Sequence, residues 1–187
     1  MITKELQSAL QSQVSEPIEI AMRYGGPTPE EAFNNLLKRE PGIEEVIAVP
    51  LYPHYAMSSY ETAVEYAKAA HTKNNYSFTL KFVQPFYNNA DYINALAENM
   101  SRYINEEFDH ILFSYHGVPG RHIMKSDTTG CHCLKVENCC QTPSPAHATC
   151  YRHQCFTTTN LVIKQLNIPE DKYSISFQSR LGKGWLE

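Results

Sequence analysis

The alternation of short apolar runs with amphipathic stretches constrains this 187-residue chain more than any other feature. Residues 18–22 (IEIAM) read as a strand, and the polar turn Gly25-Gly26-Pro27 follows it. Thr28-Pro29-Glu30-Glu31 is a capping box with proline at the first helical position, and Phe33, Leu36 and Leu37 supply that helix's apolar face. Residues 46–51 read as a buried strand. Ser58-Ser59-Tyr60-Glu61 opens a second helix by the same capping logic, carrying Val64, Ala67 and Ala70. Over residues 76–83, Tyr76, Phe78, Leu80 and Phe82 alternate with Ser77, Thr79 and Lys81, the period of a half-exposed strand. Ile93, Leu96, Ala97, Met100 and Ile104 mark a helix, and residues 110–115 another buried strand. Leu161, Val162 and Leu166 mark a last helix and residues 173–178 a last strand. Five strands alternating with four helices predict an α/β fold with a parallel, doubly wound sheet.

Several function classes fall away at once. Lys and Arg number 16 against 20 Asp and Glu, a net charge of -4, and no basic stripe invites a nucleic acid. The apolar runs, such as Val46 to Tyr52, are too short for a transmembrane segment, and MITKELQSALQSQ lacks the apolar core of a secretory signal. Neither G-x-G-x-x-G nor G-x-x-x-x-G-K-[ST] occurs, which disfavours a nucleotide enzyme, and G-x-S-x-G is missing too. The chain opens inside a helix with no strand before it. It stops at Trp185-Leu186-Glu187, where an alternating fold would start its next connection, so it reads as the middle of a longer protein.

In open α/β sheets ligands bind beyond the carboxyl ends of the strands. Those ends carry Arg23-Tyr24, then Tyr52-Pro53-His54-Tyr55, Gln84-Pro85-Phe86-Tyr87, Tyr115-His116-Gly117 and Gln178-Ser179-Arg180. Rings stack on flat faces and guanidinium groups pair with carboxylates, so this rim predicts a pocket for a large flat ligand with acidic groups. The plainer reading of any one tyrosine is a cap on the core with its hydroxyl in water. His116 is the sharpest residue. It follows a strand and precedes Gly117, whose missing side chain lets a ligand approach closely. An imidazole there can ligate a metal or accept a proton near neutral pH; the alternative is a core histidine satisfied by a backbone carbonyl.

All six cysteines fall between Cys131 and Cys155, a crowding that points to a metal or redox site in a reducing cytoplasm, not to disulfides. The pattern Cys131-x-Cys133, Cys139-Cys140, Cys150, Cys155 does not match the paired C-x₂-C of zinc ribbons. Four thiolates gathered by an irregular loop suit a [2Fe-2S] cluster or a structural zinc. His116, His122, His132, His147 and His153 lie in or near the stretch, so a mixed Cys/His zinc site stays open.

Phe113-Ser114-Tyr115-His116-Gly117-Val118-Pro119 resembles the signature of the ferrochelatase family, and Tyr173 to Trp185 (YSISFQSRLGKGW) resembles its second signature. Ala21-Met22-Arg23-Tyr24-Gly25 and Tyr52-Pro53-His54-Tyr55 fall where that family places pocket residues. The resemblance implies a lyase of heme biosynthesis that inserts Fe²⁺ into protoporphyrin IX to form protoheme. It implies a chelatase-like fold of two Rossmann-like halves with the porphyrin between them. Residues 1–88 would belong to the first half and 89–187 to the second, with a Cys-rich insertion at 120–155. His116 takes the place of the family's catalytic histidine, assigned to metal delivery or to removal of pyrrole protons. Arg23, Tyr24, Tyr52, His54, Tyr55, Gln178 and Arg180 would hold the substrate. Some members carry a [2Fe-2S] cluster. By that resemblance Cys133, Cys139, Cys140 and Cys150 are the leading ligands, Cys155 next and Cys131 last, with a structural or redox-sensing role. The family's opening strand and its glutamate partner to the histidine have no counterpart here, so these residues alone are expected to be a poor catalyst. No amphipathic anchor is visible, and peripheral membrane contact stays open because the substrate is greasy. Two other readings compete: a metal-cluster sensor module without activity, and a chelatase for cobalt or another tetrapyrrole.

Overall fold

A computed structural model describes residues 2–104, 107–179 and 181–186. The chain divides into two units, Met1–Leu51 with Ser58–Gln84, and Tyr52–Met57 with Pro85–Glu187.

The first unit holds helices α1 (Ile2–Gln11), α2 (Pro29–Arg39) and α3 (Thr62–Lys73) and strands β1 (Glu45–Ala48) and β2 (Thr79–Phe82). The capping box at α2 forms as its sequence predicts: the Glu31 N–H donates to Thr28 Oγ1 at 3.2 Å and the Thr28 N–H to Glu31 Oε2 at 2.6 Å. α3 begins differently. A wide π-type turn, Met57–Glu61, leads into it, and no side chain caps its first turn. Buried Tyr60 anchors that turn instead, its hydroxyl donating to the Val83 carbonyl at 3.0 Å. β1 and β2 pair in parallel from Glu45 with Thr79 to Ala48 with Phe82. Phe33, Leu36, Val46, Ala67 and Phe78 form the core, with the Phe33 and Phe78 rings edge-on at 5.3 Å.

Two strand expectations need correction here. Residues 18–22 join no sheet among the described residues. The Ile18 N–H donates to Gln11 Oε1, and Gln7 Nε2 donates to the Ile18 carbonyl, so glutamines of α1 satisfy backbone that a neighbouring strand would otherwise pair. Residues 46–51 are not buried throughout. Val46 is 8% exposed, whereas Ile47, Val49 and Leu51 are 60%, 54% and 56% exposed, so the run alternates like a sheet covered on one face.

The second unit holds helices α4 (Ala90–Ile104), α5 (Gly120–Ser126) and α6 (Tyr151–Leu166), strands β3 (Ile111–His116) and β4 (Tyr173–Gln178), and a 3₁₀ turn at Pro145–Thr149. β3 and β4 pair in parallel from Ile111 with Tyr173 to His116 with Gln178. β3 also alternates: Leu112, Ser114 and His116 face outward and exposed, so the expectation of a buried strand over 110–115 is corrected as well. α6 starts ten residues before the first apolar marker read for it and ends at Asn167, which adopts the left-handed conformation of a helix stop with φ of 52°. The unit's core joins Val118, Ile123, Phe177 and Leu186 to Cys133, Cys150 and Cys155. Among the described residues the strands form two separate two-stranded parallel sheets, so the α/β parallel class stands while the single five-stranded sheet does not. No described helix is long and apolar enough to cross a membrane.

Candidate functional site

His116 closes β3, opposite Gln178 at the end of β4. Strand alternation turns its side chain to the open face, so it is exposed and not a core histidine. Its carbonyl accepts a hydrogen bond from the Tyr151 hydroxyl at 2.9 Å. Gly117 serves another purpose than the sequence proposed. It is buried, its N–H donates to the Gln178 carbonyl at 2.7 Å, and a Cβ there would stand 2.8 Å from that oxygen. Backbone of β4, not a ligand, needs the empty space.

α6 presents a polar buried face to this strand end. The Tyr115 hydroxyl lies 2.8 Å from Thr159 Oγ1. His54 Nε2 lies 2.9 Å from Thr158 Oγ1, whose own hydroxyl donates to the Tyr87 carbonyl at 2.7 Å. One hydroxyl has one proton, so His54 donates from Nε2 and keeps its lone pair on Nδ1. Its ring meets Tyr115 and Tyr151 edge-on at 5.6 and 6.0 Å. Burial pushes the His54 pKa down to about 4, leaving a neutral imidazole at pH 7. Gln154, fully buried, accepts from the Tyr55 N–H at 2.7 Å and donates to the His147 and Ala148 carbonyls at 3.2 and 2.9 Å. Tyr52 and Gln178 are exposed. Arg180 lies outside the described residues.

In the first unit, Arg23 is half-buried with Nε donating to Thr62 Oγ1 at 2.8 Å. Its guanidinium lies 4.7 Å from the Tyr24 ring centre and 5.0 Å from that of Tyr66, a stacking that keeps the cation in place. Tyr24 itself is 74% exposed.

The cysteine-rich segment folds around Asp127. Its carboxylate accepts from the Thr129 hydroxyl and N–H and from the N–H groups of His132 and Cys133. These bonds, the Thr129 hydroxyl foremost, hold the Asp127 carboxyl well below the usual carboxylate range. Three imidazoles then clamp the backbone carbonyls. His132 and His147 both donate from Nε2 to Cys139 at 2.8 Å, and His153 donates from Nδ1 to Cys140 at 2.8 Å. The His147 and His153 rings stack at 3.6 Å.

This brings four of the six thiols together. Cys133, Cys139, Cys140 and Cys150 are all buried, and the Cys133 and Cys140 thiols lie close enough to Cys150 to shift its hold on its proton. The Cys140 contact pulls the Cys150 thiol down toward the thiolate, while Cys140 itself is pushed up. Burial pushes Cys133 up to about 12. Cys155 is buried beside Tyr151, and Cys131 is exposed. Soft donors are therefore gathered, yet among the described residues no three His, Cys, Asp or Glu side chains are arranged to hold a metal ion. The donor set has the chemistry of a metal site without, as placed, its coordination geometry.

A family profile described as ferrochelatase matches residues 1–187. The chain belongs to the ferrochelatase family. Its α/β, chelatase-like class with parallel strands accords with that membership. Among curated relatives, the ferrochelatase of Pseudomonas syringae pv. tomato is 40% identical over 189 residues, covering 100% of this chain and 55% of that protein. The ferrochelatase of Opitutus terrae is 45% identical over 173 residues, covering 91% of this chain and 49% of that protein. A third, from Pseudomonas fluorescens, is 40% identical over 191 residues. The chain thus spans about half the length of the curated relatives it matches.

For this member of the ferrochelatase family, reasoning from sequence missed Asp127, Tyr151, Gln154, Thr158 and Thr159. Three of them left a signal. The run Thr157-Thr158-Thr159 inside a helix is a poor helix former unless its hydroxyls are wanted for contacts, and Asp127-Thr128-Thr129-Gly130 is turn chemistry. Gln154 and Tyr151 left none, because Gln154 reaches Tyr55, 99 residues away, and Tyr151 reaches His116, 35 residues away.

Proposed function

We propose that the complete protein is a ferrochelatase of the cytoplasm, a lyase that inserts Fe²⁺ into protoporphyrin IX in heme biosynthesis. The observation that carries this reading is the ferrochelatase profile running the whole length of the chain. The reaction balances simply: the porphyrin gives up two pyrrole N–H protons, four ring nitrogens bind Fe²⁺, and the water around the ion leaves. An aromatic cleft that favours a bent macrocycle lowers the barrier, and a base near the ring centre accepts protons as the metal enters. His116, exposed at the end of β3, is the group proposed for proton removal or delivery of Fe²⁺. Arg23, Tyr24, Tyr52, His54, Tyr55, Gln178 and Arg180 are proposed to hold the porphyrin, and residues 1–88 and 89–187 to belong to two Rossmann-like halves, the second with its insertion at 120–155.

A [2Fe-2S] cluster on Cys133, Cys139, Cys140 and Cys150, with zinc as the alternative, is proposed from the soft-donor chemistry of these buried thiols, not from their placement. Metal insertion transfers no electron, so no step of the reaction runs through such a group.

The test is anoxic insertion of Fe²⁺ into protoporphyrin IX by the complete protein, followed by the change in porphyrin absorption. Steady turnover is expected. A protein that binds iron at its cysteines but neither binds nor metallates porphyrin would be a sensor module, and one selective for cobalt a different chelatase.

A further inference from the structure

Gln154 is the fully buried glutamine on α6, and it joins two irregular stretches of backbone. Residues 52–57 carry the candidate porphyrin contacts Tyr52, His54 and Tyr55. The Pro145–Thr149 turn leads into Cys150 and bears His147, whose imidazole is bonded to the Cys139 carbonyl. Neither stretch sits in a sheet ladder, so its backbone groups need other partners. Gln154 supplies them on both sides: its Oε1 accepts from Tyr55, and its Nε2 donates to His147 and Ala148. Its capacity is well used by these contacts, and removing it leaves three backbone groups without these bonds.

We infer that Gln154 is a positioning residue that fixes the Tyr52–Tyr55 segment and links it to the cysteine-rich loop, so that porphyrin held by the segment also steadies the loop. The inference rests on the porphyrin-binding reading above. Its physical basis is local opening: a ligand that holds one of two tethered segments closed makes opening of the other more costly, and the effect is reciprocal.

Amide hydrogen exchange of the complete protein tests this, with and without metal-free protoporphyrin IX. In the wild type, porphyrin should slow exchange across residues 52–57 and also across 139–150, by about fivefold or more, the low end of ordinary coupling between sites. In Gln154→Met the slowing at 52–57 should remain and the slowing at 139–150 should vanish. Gln154→Glu keeps an oxygen for Tyr55 but sets an acceptor against the two carbonyls, and it should lose the linkage as well. Thr159→Val breaks the contact to Tyr115 on the same helix face and should keep the linkage, which separates it from general loosening of α6. Protection at 139–150 that survives in either folded Gln154 variant overturns the inference, since porphyrin would then reach the loop by another route. Protection at 52–57 alone in the wild type overturns it too. A wild type that binds no porphyrin removes the functional reading and this inference together.

Discussion

Burial holds the His54 imidazole at about 4 against an ordinary 6.5, and this gives the protein a window of acid sensitivity. The unfolded imidazole takes a proton once the pH drops below 6.5, and the folded one waits until about 4. Stability is therefore whole above pH 6.5, falls through that window and levels off below it, for a loss of up to about 3 kcal/mol. Urea unfolding at successive pH values should show the slope, and His54→Gln should flatten it; an equally steep slope in the variant would remove His54 as the cause. The cysteines make a second residue-scale prediction. Cys150 lies at the centre of the thiol contacts, whereas Cys155 is packed against Tyr151. Cys150→Ser should strip bound iron or zinc from the purified protein and Cys155→Ser should leave it in place. Equal metal loss from both would count against the proposed ligand set. The crowding of the cysteines in one stretch was legible in the sequence, whereas a metal-holding arrangement of their side chains is not found among the described residues. The resemblance already ranks Cys155 behind the other four, and the fold adds the physical reason, since Cys155 is buried against Tyr151 on α6.

At the scale of elements, Gly117→Ala is expected to destabilise the protein by about 1–3 kcal/mol, because the added methyl meets the Gln178 carbonyl and must push β3 and β4 apart. A thermal melt within a degree of wild type would contradict this. The capping box at α2 was legible because both halves of it lie within four residues. The strands over 79–82 and 173–178 were legible from alternation and β-branched or aromatic content. Residues 18–22 have the same character yet join no described strand: Ile18 bonds to glutamines of α1, and the Met22 N–H donates to the Pro27 carbonyl. The start of α6 was missed because its first two turns mix Arg152, His153, Gln154 and Thr157 with Tyr151, Cys155 and Phe156, so no regular apolar stripe announces them although Cys155 reaches the core.

For the whole molecule, the open faces matter most. Ile47, Val49 and Leu51 in the first unit and Leu112 in the second leave apolar sheet surface exposed, and the chain spans about half the length of its curated relatives. Because the chain covers about half of each curated relative, these 187 residues on their own are expected to metallate protoporphyrin more slowly than the complete protein. Equal rates for the two would sink that expectation.

His116 is the residue on which metal insertion is proposed to depend, and the most direct measurement is anoxic Fe²⁺ insertion into protoporphyrin IX by the complete protein, wild type against His116→Ala. Its side chain is exposed, so the variant should fold and melt as the wild type does, while turnover falls at least about a hundredfold. Turnover that is unaffected by the substitution, or absent from the wild type, would contradict the account.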